Sequence, residues 1–148
     1  MFDHLYAYAA RFDPQPGGGF LVSFPDLPEA LTDGADLAAA LANASDCLSE
    51  ALAGRINHDE VVPPPRLVKK GARAIAPEPT IALKAALYSA LRARALTVAD
   101  LARRLDVDYR LAARLVDPRS PSKLSGLKAA LDVLGYELAI AVQEKPAA

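Results

Sequence analysis

The sequence predicts an α+β fold, in which a small antiparallel sheet with one helix is followed by an all-helical part that ends in a strand. Near the N-terminus large apolar residues alternate with smaller ones, which is the period of a β-strand. Beyond residue 79 leucines recur every three or four positions, which is the period of a helix. The run Pro63-Pro64-Pro65 lies between the two patterns and excludes helix there.

Three short strands are predicted before the first helix. Residues 5–11 and 20–24 both show the strand pattern. The glycines at 17–19 lie between them and permit the positive φ angles of a hairpin-like connection. Residues 30–32 are predicted as a third strand or sheet edge. A further strand that returns to this sheet between residues 66 and 75 is left open.

One amphipathic helix should pack on this sheet. Asp33-Gly34 is predicted to form a turn, after which Asp36 can cap the helix by accepting a hydrogen bond from an unpaired backbone N–H. Gly54 is predicted to end the helix, because glycine is favoured at that position. The apolar stripe at helical spacing comprises Leu37, Leu41, Ala44, Leu48 and Leu52.

The chain is divided by its charge as well as by its patterns. Its 148 residues suffice for one ordinary core or two small ones, and we predict domains at 1–65 and 80–148, with 66–79 as a linker or returning strand. Residues 1–60 contain ten acids and two bases, a net charge of −8, whereas residues 80–128 contain ten bases and four acids, a net charge of +6. Opposite fields indicate two different partners. A solvated surface of uneven composition is the alternative.

Four helices and a strand are predicted after residue 79. The first carries a leucine stripe, the second begins with a capping box at Thr97–Asp100, the third spans about 109–116, and the fourth runs from about 123 to Gly135. The final run has the period of a strand, which would pair across a two-fold axis with a second copy because a lone strand leaves backbone groups unpaired. Its dimerisation residues are Tyr136, Leu138, Ile140 and Val142.

The second and third of these helices have the spacing of a helix-turn-helix. Asp106 takes the turn position usually given to glycine, and aspartate tolerates left-handed geometry better than most residues. Arginines four apart on the third helix lie on one face and can pair with guanine edges. The predicted groove-facing residues are Asp108, Tyr109, Arg110, Ala113 and Arg114. Four further bases suit DNA phosphates, namely Arg103, Arg104, Arg119 and Lys123.

No catalytic or cofactor-binding pattern is evident in the sequence. The two histidines, His4 and His58, are far apart and lack metal-ligand or triad spacing, and Cys47, the single cysteine, is interpreted as a packing residue. The glycine run leads into a strand and not into a helix, so it offers no phosphate-binding loop. Neither a signal peptide nor a membrane span is found, so we expect a cytoplasmic protein. Because no catalytic or metal-ligand pattern is found, we also expect that the protein is not an enzyme and needs no metal or cofactor.

The stretch GGGFLVSFPDLPEALTDG, followed by a helix that contains Ala40, Asn43 and Ala44, resembles the N-terminal domain of HicB-type antitoxins. That pattern has a glycine-rich hairpin, a strand ending in PDLP, a Thr-x-Gly turn and an alanine-rich helix with an Asn-Ala pair. The second part looks like the DNA-binding domain in one branch of that family, including the Arg-Leu-x-Asp-Pro that begins at Arg114. Together the two resemblances cover nearly the whole chain.

The resemblance implies a partly formed ribonuclease-H-like domain that lacks the catalytic acids of true nucleases. It also implies that this domain binds HicA, a small basic RNA-cleaving toxin, and blocks its active site, which suits the acidic N-terminal charge. The second domain would bind the operator of its own operon as a dimer or higher assembly. The expected toxin-binding residues are Phe24, Asp26, Leu27, Glu29 and Asp33.

Two other functions stay open at this point. One is an orphan transcription regulator whose acidic domain binds something other than a toxin. The other is a metal-dependent nuclease, for which Asp3, Asp13 and Asp26 could gather around a divalent ion, although their spacing does not require it.

Overall fold

The structure, a computed structural model, describes residues 5–66 and 69–145, so Asp3 and His4 lie outside it. The predicted α+β class is confirmed, since a sheet with one helix precedes several further helices. Contacts group the chain into two compact units. The sheet unit comprises residues up to 54 together with 63–82, and the helical unit comprises 55–62 together with the residues from 83 onwards. Whether 1–65 and 80–148 are independent domains stays a prediction.

Four antiparallel strands form the sheet: β1 (Tyr8–Pro14), β2 (Phe20–Ser23), β3 (Leu31–Gly34) and β4 (Arg73–Ile75). Their order is β3-β2-β1-β4, so the strand left open between 66 and 75 exists and pairs with β1. The Asp33-Gly34 turn was wrong, because both residues belong to β3. Side chains alternate between faces along a strand, and Tyr8, Ala10 and Val22 point into the core.

The helix α1 (Leu37–Asn57) packs against that core with Ala40, Ala44, Leu48 and Leu52 buried. Asp36 caps it as predicted, since the Ala39 N–H donates to Asp36 Oδ1 at 2.8 Å. The predicted end at Gly54 was wrong. The helix continues to Asn57 because Ile56, four residues after Leu52, extends the buried stripe.

Glycine is required where the hairpin meets the start of α1. At Gly19 φ is +80°, and an added Cβ would lie 2.5 Å from the carbonyl oxygen of Gly34. At Gly34 a Cβ would overlap the backbone of Ala40. A side chain at position 19 would therefore push the hairpin away from the end of β3, and one at position 34 would push β3 away from α1.

The helical unit contains α2 (Pro79–Ala93, whose first turn belongs to the sheet unit), α3 (Val98–Leu105), α4 (Tyr109–Val116) and α5 (Leu124–Val133). Thr97 and Asp100 form the predicted capping box of α3. Asp106 ends α3 in the left-handed conformation, with φ 53° and ψ 50°, which fits the interpretation of the turn. The core of this unit is largely aliphatic and includes Leu87, Leu101, Ala112, Leu115, Leu127 and Leu131.

The predicted C-terminal strand is not formed in the described chain. Residues 136–145 are neither helical nor in a sheet, because the described residues supply no neighbouring strand for a hydrogen-bonded ladder. Tyr136 is nevertheless fixed, since the Arg94 guanidinium lies 4.5 Å from its ring centroid and donates to its hydroxyl at 2.7 Å. Beyond it, Ile140 and Val142 are exposed.

Candidate functional site

One face of α4 is open to solvent and carries the residues predicted to face DNA. Tyr109 is 59% exposed, and Arg110 and Arg114 are exposed one helical turn apart. Asp108 begins the helix and accepts a hydrogen bond from the Arg110 N–H at 2.6 Å, so its carboxylate acts as a cap. Ala113 is half-buried beside them. The prediction missed Leu111, which is an exposed apolar side chain on the same helix.

Two of the four bases predicted to contact phosphates already contact carboxylates. Arg103 pairs with Asp100, and Arg119 Nε lies 3.1 Å from Asp117 Oδ1. Hydrogen bonds from Arg119 lower the pKa of Asp117, and those from Thr97 lower the pKa of Asp100. Such exposed pairs are worth little in water, so a phosphate could displace the carboxylate at small cost. The other two bases, Arg104 and Lys123, are exposed.

Lys84 of α2 is fully buried, although its charge alone would have placed it on the cationic surface. Its Nζ donates to the carbonyl oxygens of Arg114, Asp117 and Ser120, at 2.9, 2.6 and 2.5 Å. These carbonyls belong to the last turn of α4 and to the residues that follow. At this end of a helix the carbonyl oxygens lack intrahelical partners, and the helix dipole carries its negative partial charge. Burial lowers the pKa of Lys84, and the Asp117 carboxylate opposes that effect. A single cation from α2 thus holds the end of α4.

In the sheet unit, two of the five expected toxin-binding residues are core residues. Phe24 is 2% exposed and Leu27 is 0% exposed, so their side chains support the PDLP loop from inside and present no surface to a partner. That part of the expectation is corrected. Glu29 and Asp33 are exposed, and Asp26 is half-buried in a cleft lined by four basic side chains.

Asp33 belongs to a face of the sheet that α1 leaves uncovered. The register pairs Asp13 with Leu21 and Leu21 with Asp33, so these three side chains form a row across three strands. Leu31 lies two residues before Asp33, hence on the same face, and is 59% exposed. We call Asp13, Leu21, Leu31 and Asp33 the open sheet face. Sequence reasoning missed all but Asp33, because only the register brings them together.

The two units also differ less in charge than the sequence halves suggested. The sheet unit contains nine acids and five bases, a net charge of −4, and the helical unit contains nine acids and twelve bases, a net charge of +3. The contrast is weaker because residues 63–82 bring four bases to the sheet unit and residues 55–62 bring acids to the helical one. The signs nevertheless remain opposite.

In residues 5–66 and 69–145, no group of three or more His, Cys, Asp or Glu side chains is placed to hold a metal ion. No helix within the same ranges is long and apolar enough to cross a bilayer.

Residues 7–86 match a protein family described as HicB_like antitoxin of bacterial toxin-antitoxin system. The chain is 32% identical over 133 residues to Antitoxin HicB of Escherichia coli (strain K12), which covers 90% of this chain and 96% of that relative. It is 30% identical over 136 residues to Antitoxin HicB 1 of Photorhabdus laumondii, covering 92% and 86% of the two chains. Antitoxin HicB of Pseudomonas fluorescens is 29% identical over 140 residues, covering 94% of this chain and 95% of that relative.

Proposed function

The chain belongs to the HicB-like antitoxins of bacterial toxin-antitoxin systems, and from this membership we propose that it binds and neutralises a small basic HicA-type ribonuclease toxin. We further propose that it represses its own operon by binding operator DNA. The observation that carries the proposal is the similarity to proteins named antitoxin HicB over about nine-tenths of the chain. On this account the protein acts in the cytoplasm by binding and carries out no catalysis itself.

The open sheet face is the surface we assign to the toxin. It combines two exposed leucines with the carboxylates of Asp13 and Asp33, and the exposed Glu29 directly follows the PDLP motif in the same unit. Apolar area at the centre of an interface supplies affinity, and carboxylates around it favour a basic partner and speed its approach. Asp26 is left out of this surface, because it shares its cleft with four bases that would repel a basic toxin. One of these bases, Arg11, lies 4.0 Å from Asp13 Oδ1 and marks the edge of the surface.

The α4 surface is the part we assign to DNA. Arg110 and Arg114 project from one face of a short helix whose start is capped by Asp108 and whose end is held by Lys84. Arginine in that arrangement suits guanine edges in a major groove, and Arg103, Arg104, Arg119 and Lys123 suit the phosphates. A helix held at both ends keeps its arginines in fixed positions, which base recognition requires.

A co-purification experiment tests the toxin assignment. The full chain is expressed with the tagged product of the neighbouring gene, and the dissociation constant of the complex is measured for the parent and for Asp33→Lys. Reversing this charge should weaken the complex about tenfold or more, since tenfold corresponds to about 1.4 kcal/mol. Asp46→Lys is the matched control, because Asp46 is exposed on α1 of the same unit.

The control should change the dissociation constant less than twofold. Equal weakening by both variants would show that net charge matters and that the open sheet face does not. A chain that fails to retain the neighbouring gene product at all would contradict the antitoxin assignment itself.

A further inference from the structure

The sheet unit contains a cleft of about 390 Å³ that the antitoxin role does not use. The cleft lies between β1, the loop that follows β2, and the segment that leads into β4. It is lined by Ala9, Arg11, Pro25, Asp26, Arg66, Lys69, Lys70, Gly71 and Ala72. Its volume falls within the range of roughly 300 to 1,000 Å³ that small-ligand sites occupy.

Charge in the sheet unit is concentrated in this cleft. Four of the unit's five bases line it, namely Arg11, Arg66, Lys69 and Lys70. Among the unit's acids that the structure describes, Asp26 alone lines it with them. A unit with a net charge of −4 therefore presents a cleft in which bases outnumber acids, and a concave surface with an excess of one sign of charge attracts ligands of the opposite sign. A cleft of this composition suits an anionic ligand.

We propose that this cleft binds the sugar-phosphate backbone of single-stranded RNA. Lysine and arginine neutralise phosphates, which is the main source of nucleic-acid affinity. The half-buried Asp26 carboxylate is an acceptor among these donors, and the ribose 2′-hydroxyl is a donor that DNA lacks. The cations hold the phosphates and Asp26 accepts from the hydroxyl.

An acidic protein segment fits the same residues less well. Its acidic side chains are acceptors that offer the Asp26 carboxylate no donor, whereas RNA offers hydroxyl donors beside its phosphates. The remaining wall is made of small residues and a proline, and the described lining contains no aromatic ring on which a base could stack. The cleft therefore binds RNA with little dependence on base sequence.

Fluorescence anisotropy with a labelled 12-nucleotide RNA of mixed sequence tests the proposal. The full chain carries Arg103→Ala, Arg104→Ala, Arg110→Ala and Arg114→Ala throughout, so that the proposed DNA surface contributes little. Adding Lys69→Ala and Lys70→Ala should weaken RNA binding about tenfold. The slope of the logarithm of the association constant against the logarithm of the salt concentration should also become shallower by about 1.4, since each phosphate contact on a single strand contributes about 0.7. Adding Lys128→Ala and Lys145→Ala, the matched loss of two exposed charges in the helical unit, should change affinity less than threefold.

The same measurement is made with single-stranded DNA of the same sequence and with a 12-residue glutamate peptide, and the affinities are compared with that for RNA. The protein with an intact cleft should bind RNA at least fivefold tighter than DNA, and Asp26→Ala should reduce that ratio towards one. Equal losses in the two double variants, an RNA-to-DNA ratio near one with the cleft intact, or tighter binding of the peptide would each overturn the proposal. No toxin is present, so failure here leaves the antitoxin role untouched, and circular dichroism of each variant confirms that the fold is kept.

Discussion

At the scale of single residues, Lys84 connects α2 to the end of α4. Three backbone carbonyls at the end of α4 accept hydrogen bonds from its Nζ, and the side chain is fully buried. A buried charge is tolerated only where its donors are satisfied, as they are here. The lysine therefore supports the position of α4 from behind while the arginines face outwards.

Lys84→Met should lower the free energy of unfolding by about 3 kcal/mol, because three carbonyl oxygens lose the buried ammonium that donates to them. Urea unfolding followed by circular dichroism measures this. Lys128→Met is the control, since Lys128 is exposed and its pair with Asp132 lies on the surface, so its removal should cost about 0.5 kcal/mol or less. Similar losses for the two variants would contradict the structural role of Lys84.

The sequence could not reveal this role. A lysine between apolar positions of a helix has the same local pattern whether it reaches solvent or a carbonyl cluster 30 to 36 residues away. Sequence patterns were more reliable for interactions between residues that are close together in the chain. The Asp36 cap, the Thr97–Asp100 capping box and the left-handed Asp106 depend on neighbours within a few residues and were predicted correctly.

At the scale of elements, α4 forms over residues 109–116, the range that its sequence pattern predicts. Its DNA role is tested by two substitutions with different expected outcomes. Arg110→Ala should cost about 1 to 3 kcal/mol on the operator and relax discrimination at one base pair, because a bidentate contact to a base is lost. Lys123→Ala should weaken operator and random DNA alike, because phosphate contacts carry no sequence information.

Binding of both sequences is measured by anisotropy at one fixed salt concentration, since the affinity depends strongly on salt. If Arg110→Ala weakened operator and random DNA equally, the assignment of Arg110 to base recognition would be wrong.

The two uncertain strands show what a sequence period can and cannot predict. A strand was left open between residues 66 and 75 and was predicted from Tyr136 to Val142, but within the described chain only β4 has a neighbour, since Ile75 pairs with Tyr8. Strand formation needs a ladder partner, and the period of side chains says nothing of where that partner lies. The sequence pattern therefore predicted that an antiparallel sheet forms, but it could not locate the fourth strand of that sheet.

At the scale of the whole molecule, we propose that residues 136–142 gain their partner from a second copy, which makes the chain a dimer or higher assembly. Ile140 and Val142 are exposed in the single chain and would be covered by this pairing. Ile140→Asp should shift the sedimentation coefficient to that of a monomer, because the pairing would bury an unpaired carboxylate. Ala139→Asp, one position along and pointing to the other side, should leave the assembly intact.

A parent protein that sediments as a monomer at micromolar concentration would contradict this pairing. Loss of assembly in both variants would indicate that added charge and not the apolar side of the segment decides the outcome.

The candidate sites were predictable from sequence to different degrees. The α4 surface was found because its residues are close together in the chain. The open sheet face and the basic cleft combine residues such as Asp13 with Asp33, and Arg11 with Lys70, that only the folded sheet brings together. Phe24 and Leu27 were misassigned because a motif shows which residues occur together and not which of them point inwards.

The proposed neutralisation of a ribonuclease toxin is tested by titration of the toxin's RNA cleavage. The purified product of the neighbouring gene is incubated with RNA while the full chain is added in increasing amount. Cleavage should fall in proportion to added chain and stop at a fixed molar ratio, and Asp33→Lys should require a large excess to reach the same inhibition. Cleavage that continues unchanged at a tenfold excess of the chain would contradict the proposed antitoxin function.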